Sequence, residues 1–265
     1  CGPLARSAKD LEIALDIMAG PIEREARGWQ LNLPESRKSS LKDFNVAIWS
    51  NDELAPVSKD ISQRCEDVGK NLASIGANVS YTAKPEHDFL KAEINYQLLL
   101  QSVMQSGMSD DEFKKIEEIA SNLDRNDLSA DAILAKGTVL SHRNWIRQNY
   151  AREQIKISWS KFFQEWDILI CPQLATTAIE HDHRKMSERT IMIDNQEQRF
   201  FQQIFWPGLA VNAHLPSTVF PTGLASDGMP IGLQALGAVY EDKTTIKFAE
   251  LYEEEFKAFV IPNLD

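Results

Sequence analysis

Cysteine is scarce in this sequence: Cys1, Cys65 and Cys171 are the whole complement in 265 residues. An odd number at wide spacings makes no disulfide framework, and without a CxxC pair neither a zinc ribbon nor a thioredoxin-like site is indicated. Such usage fits a reducing cytoplasm. Long apolar runs are missing too. None approaches the ~20 residues that span a bilayer, and no charged n-region followed by an apolar h-region opens the chain. Positive charge is also short, since 28 Lys and Arg against 39 Asp and Glu leave a net charge of −11. That field repels phosphate backbones, so no nucleic-acid surface is expected. G-x-G-x-x-G, a Walker loop and G-x-S-x-G are all absent, which leaves no dinucleotide cofactor and no nucleophile elbow to propose.

What is present is ordinary for a globular protein: 43% hydrophobic and 25% charged residues. The length suffices for one large α/β domain or two small ones. The chain opens at Cys1 without an initiator Met and runs straight into Gly2-Pro3, and it is read as an excerpt. Ser7 is a helix N-cap ahead of Leu11, Ala14, Leu15 and Met18, with Gly20-Pro21 as the stop. Phe44 to Trp49 is β-prone. Ile61, Cys65, Val68, Leu72 and Ile75 share one face of a helix opened by Pro56-Val57-Ser58, and Val79 to Thr82 follows as a second strand. Strand, helix, strand within 41–85 is the signature of a parallel pair.

From 86 to 165 the pattern is helical and charged, interrupted near Ser106-Gly107 and around Asn122 to Asn126, so three or four helices are expected as one layer or lobe. Residues 166–265 supply further strands, a pocket loop and a last helix. Asp167 to Cys171 is a buried strand stopped by Pro172. Thr176 to Arg199 reads as a long loop. Ser217 to Phe220 and Ile231 to Leu236 form a hairpin about Asp227-Gly228, and Asp242 caps the final helix.

The sharpest polar cluster is His181-Asp182-His183. On an extended segment the two imidazoles point one way and the carboxylate the other. Without a third ligand, a pocket rim is the plainer reading than a metal, and no metal is expected. Ser158-Trp159-Ser160-Lys161 matches S-x-x-K, but it sits in a charged amphipathic helix where Ser and Lys are routine surface residues. Cys65 and Cys171 fall at core positions. Phe200, Phe201, Phe205 and Trp206 read as core, or as the lining of an apolar pocket. Read from its residues, the chain is an α/β protein with no catalytic group.

Several longer stretches carry a family resemblance. Gly2 to Pro21 (GPLARSAKDLEIALDIMAGP) resembles the stretch that follows the catalytic signature of amidase-signature enzymes. Leu41 to Ala47, Leu54 to Val57, Cys171-Pro172 to His183, Leu215 to Gly223 and Asp227 to Gln234 are similar to later family elements, in the family's order. The resemblance implies the C-terminal part of a mixed β-sheet fold flanked by helices. It also implies hydrolysis of a carboxylic amide C–N bond by a Ser–cis-Ser–Lys triad, with backbone N–H groups stabilising the oxyanion. By the same resemblance those three residues lie upstream of Gly2, so no catalytic residue is carried over and the 265 residues alone are expected to be inactive.

The implied contribution is the wall of the acyl pocket, with Thr176, His181, Asp182, His183, Trp206 and Asn212 as candidate substrate-binding residues. The alternative for Trp206 and Asn212 is that they hold the loop entering the hairpin. Expected partners are a small-molecule amide and the missing half of the same fold, with a homodimer left open; neither nucleic acid nor a membrane is expected. Two other readings stay open: a non-catalytic small-molecule-binding α/β module, and a subunit of a tRNA-dependent amidotransferase.

Overall fold

A computed structural model of the chain describes residues 2–185 and 188–261. Cys1 therefore lies outside the described residues, as do two positions of the expected 176–199 loop. The chain divides into two compact units. One comprises the residues up to Lys84, Phe162–Ala210 and those from His214 on; the other is Pro85–Lys161 with Val211–Ala213.

The first unit is built on a five-stranded sheet. Its strands are β1 (Asn45–Ile48), β2 (Asn78–Ser80), β3 (Ile168–Pro172), β6 (Ser217–Leu224) and β7 (Pro230–Leu236), in the order β2-β1-β3-β7-β6. Strand β1 runs parallel to β2 and β3, while β7 is antiparallel to both β3 and β6. The sheet is thus mixed and flanked by helices. Between β1 and β2 runs α2 (Lys59–Ser74), capped by Ser58, whose side chain accepts from Ile61 N–H. Its buried residues are Ile61, Cys65, Val68, Gly69 and Leu72, the stripe that the sequence spacing marks. The last helix, α8 (Asp242–Phe256), lays Phe248 against Phe44 and Phe220 with ring centroids 5.3 and 5.6 Å apart. Helix α1 (Ala8–Met18) rests on α8 and buries only Ala8. Lys243 of α8 ties the two together through Glu12 and Asp16, and also reaches Glu35.

Several local expectations need revision. Residues 176–199 are not all loop: β4 (Thr190–Ile193) and β5 (Gln196–Arg199) form a hairpin. Ile191 and Ile193 are buried and Met192 exposed, a strand alternation too short to stand out in sequence. Asp194 makes the turn with φ 52°, in the left-handed region that Asp tolerates better than most residues. Pro172 lies inside β3 rather than after it. Pairing with β1 ends at Ile170, so the missing N–H of Pro172 falls where β3 has only β7 as a neighbour. Strand β6 likewise continues through Pro221 because it is an edge strand, with a register shift before Leu224. In that shift Gly223 has φ +108°, and a Cβ there would meet the Arg64 guanidinium, which donates to the carbonyls of Thr222 and Leu224. Glu241, not Asp242, precedes α8 as its capping residue.

The second unit is helical: α3 (Phe89–Met104), α4 (Asp110–Asn122), α5 (Ala130–Thr138) and nearly all of α6 (His142–Phe162). Ser109 and Glu112 make a capping box at the start of α4. Gly137 permits the close crossing of α5 on α3, since a Cβ there would stand 2.8 Å from Gln101 Cβ and 3.3 Å from Leu98 Cα. His87 packs on Phe89 and Trp159, and its Nδ1 lies 3.1 Å from Ser158 Oγ, the serine of the S-x-x-K segment. Burial lowers the His87 pKa to about 4. The unfolded imidazole titrates near ~6.5, so between those values the unfolded chain holds the extra proton. Stability is therefore full above pH ~6.5, falls as the pH drops toward ~4, and levels off below that. Allowing for partial exposure of the ring, the loss is expected to be about 1–2 kcal/mol. Urea midpoints measured near pH 7 and pH 4.5 check this, and His87→Gln should flatten the difference. An unchanged pH slope in the variant would refute the assignment.

Candidate functional site

One cavity of about 700 Å³ opens in the sheet-bearing unit. Its position follows from how the chain leaves β3. The loop after Pro172 is held to the start of α2 by Ser58 N–H donating to the Ala175 carbonyl at 2.8 Å. Thr177 Oγ1 donates to Asp227 Oδ2 in the β6–β7 turn at 3.3 Å. The tip of the β4–β5 hairpin reaches the same helix start, where Lys59 N–H donates to Asp194 Oδ1. Loop, hairpin and turn thus converge on the N-terminal end of α2, with Ile61, Val219, Ile231 and Phe200 closing the remaining walls.

Four of the six sequence candidates come together there: Thr176, His181, Asp182 and His183 all line the cavity. The imidazoles of His181 and His183 meet edge to face with centroids 6.2 Å apart. Asp182 does not stand between them as a third partner. Arg184 donates to both of its carboxylate oxygens through Nε and Nη2, and these bonds hold Asp182 at a pKa of about 2. Among the described residues no three His, Cys, Asp or Glu side chains group as a metal site.

The other two candidates are elsewhere. Trp206 is fully buried, and its indole N–H donates to the Ala55 carbonyl at 3.0 Å. Asn212, in the helical unit, donates from Nδ2 to the Ala92 carbonyl at 3.2 Å. Neither is among the residues lining the cavity.

Among the lining residues that sequence reading passes over are Gln173, Gln203, Arg189 and Val219. A signal exists for Val219 alone. In the alternating burial of β6 it is an apolar residue on an exposed position between buried Thr218 and Phe220. Gln173 Oε1 is buried without a hydrogen-bond partner, and Gln203 is only 6% exposed. Cys65 and Cys171 are buried and free, and burial raises both thiols, so neither is an activated nucleophile.

A mixed α/β sheet with a ligand-sized, largely apolar cavity beside it has the geometry of a candidate small-molecule site. The family is narrower still: the family model for amidases matches residues 1–246, and this chain belongs to the amidase family. Among similar proteins is the A-subunit of the glutamyl-tRNA(Gln) amidotransferase of Saccharolobus solfataricus, 26% identical over 270 residues, which cover 95% of this chain and 54% of that protein. A bacterial aryl acylamidase of the amidase-signature family superposes with a TM-score of 0.67 at 16% identity, over 96% of this chain and 52% of that one. The corresponding glutamyl-tRNA(Gln) amidotransferase polypeptide from Thermotoga maritima gives 0.66, also at 16% identity and over the same shares. The chain spans about half the length of the curated relatives it matches. No helix among the described residues is long and apolar enough to cross a membrane.

Proposed function

We propose that this chain forms the substrate-pocket part of an enzyme that cleaves a carboxylic amide C–N bond, and that the Ser–cis-Ser–Lys triad is supplied by residues beyond these 265. Membership of the amidase family across residues 1–246 carries the reading. The cavity beside the β3 loop supports it, because Thr176, His181, Asp182 and His183 are the residues that the family resemblance marks as pocket wall. In this reading residues 41–85 and 166–265 build the pocket and its sheet, residues 86–165 form a helical layer or lobe, and the location is cytoplasmic, in keeping with free cysteines.

The 265-residue chain is expected to hydrolyse no simple amide or ester and to take up no serine-directed fluorophosphonate. Co-expression with a segment that carries a triad is expected to bring both activity and labelling. Intact-mass analysis after fluorophosphonate treatment checks this, and stoichiometric labelling of a serine in the chain by itself would overturn it.

A second reading is favoured by the names of the similar proteins: a role as the amide-cleaving subunit of a tRNA-linked amidotransferase. Its test is co-purification of the encoded full-length product with partner subunits, together with glutamine-dependent amide transfer. A product that purifies alone and transfers no amide nitrogen would leave the first reading.

A further inference from the structure

Helix α4 is held lightly within its own unit. It has 13 residues and buries none of them, and a helix of that length is marginal in water unless an apolar face packs on something. The Ser109–Glu112 capping box and contact with α5 give it local support. Phe113 nevertheless stays 37% exposed. Asp110, Phe113, Glu117, Ala120 and, two residues past the helix end, Asp124 follow one another at spacings of three, four, three and four. That period puts side chains in a single line, as in the seam between two packed helices. All of them are exposed except Ala120, which is half-buried.

Helix α6 carries a counterpart. Arg147, Tyr150, Gln154, Ile157 and Lys161 repeat the same spacing, and all five are exposed, Tyr150 at 69% and Ile157 at 48%. In a chain of net charge −11 this helix holds five Lys and Arg against one Glu. Arg147 and Lys161, like Asp110 and Glu117, form no ion pair among the described residues. Laid side by side in parallel, the two lines match position by position over about 21 Å at ~1.5 Å per residue. Asp110 meets Arg147, Phe113 meets Tyr150, Glu117 meets Gln154, Ala120 meets Ile157 and Asp124 meets Lys161. Acid faces base at both ends, ring faces ring, and a small side chain faces a large one. Both lines are open to solvent, so they do not meet within one copy.

We infer that the helical unit is a self-association surface, on which α4 of one copy lies parallel to α6 of a second copy in this register. A two-fold axis makes the contact twice, once from each copy. Phe113, Tyr150 and Ile157 lose water at the centre, and the charged ends fix partner and register. The contact is independent of the amide chemistry proposed above.

Sedimentation equilibrium of the 265-residue chain tests this. A monomer–dimer equilibrium is expected, and it should weaken as salt is raised. Arg147→Glu with Lys161→Glu, or Asp110→Lys with Asp124→Lys, turns both end pairs repulsive. Each double variant is expected to weaken association by about tenfold or more. Mixing the two reversed chains makes every end pair attractive again, so a mixed dimer of near-native strength is expected. Tyr150→Ala should weaken association and leave its salt dependence in place. The salt series on the unaltered chain needs no variant, and circular dichroism shows whether the reversed chains are folded. A chain that stays monomeric at every concentration overturns the inference. Self-association indifferent to salt and to charge reversal also overturns it and belongs to another surface. Folded reversed chains that fail to recover on mixing overturn the register. A tRNA transcript bound without self-association, and lost on reversing α6, would assign the basic line to nucleic acid instead of a second copy.

Discussion

Trp206→Ala is expected to lower the unfolding free energy by about 4 kcal/mol, the range for emptying a filled aromatic site. The indole has no solvent exposure. It meets Trp49 edge to face at 5.5 Å and Phe205 at 5.2 Å, and its N–H satisfies the Ala55 carbonyl. Trp206→Phe keeps most of the volume and loses the hydrogen bond, so a cost of about 1–2 kcal/mol is expected. Urea unfolding of both variants gives the comparison. Native-like stability in Trp206→Ala with a changed ligand affinity would mean that the residue faces substrate after all.

Gln234→Leu comes next, at about 2–4 kcal/mol, because it strips the donor from two buried carbonyls at once. Gln234 is 1% exposed, and Nε2 donates to the carbonyls of Pro172 and Trp206, at 2.9 Å each. Ser217 Oγ donates to its Oε1 at 3.0 Å. One carboxamide thus holds together the end of β3, the start of α7 (Phe205–Ala213) and the β6–β7 hairpin. Calorimetric unfolding checks this. Unchanged stability would show that the two carbonyls find other donors.

The elements with strong local chemistry are those that the sequence announces. Ser7 and Ser58 cap their helices in the structure as their position before an apolar period requires. The buried stripe of α2 follows spacings of three and four, because one helical face packs on one sheet. The parallel pairing of β1 and β2 is legible because a helix between two short β-prone runs leaves few other connections. The β4–β5 hairpin is not legible, since four residues with two buried isoleucines make too short a period to rise above a polar neighbourhood. Pro172 and Pro221 mislead for a related reason. Proline ends a strand only where its missing N–H faces a neighbour, and the strand order decides that.

The site divides in the same way. His181, Asp182 and His183 attract notice as a cluster, and the family motifs place them on a pocket loop beside Thr176. Nothing in the linear pattern separates Trp206, a buried prop, from Gln173, a buried acceptor without a donor. Their difference lies in which partner groups come within hydrogen-bond reach: the carbonyl that accepts from the Trp206 N–H belongs to a residue 151 positions away, while no donor reaches Gln173 Oε1.

Family, mixed α/β class and the Ser7 and Ser58 helix caps are written in the linear chain, because they rest on local periodicity and contiguous motifs. Folding alone binds Asp182 to Arg184, makes the cavity mainly apolar, and leaves Gln173 without a donor while Gln234 gains two acceptors. Burial and hydrogen-bond satisfaction depend on what distant segments bring to the same point, and that is settled only when the sheet order is formed.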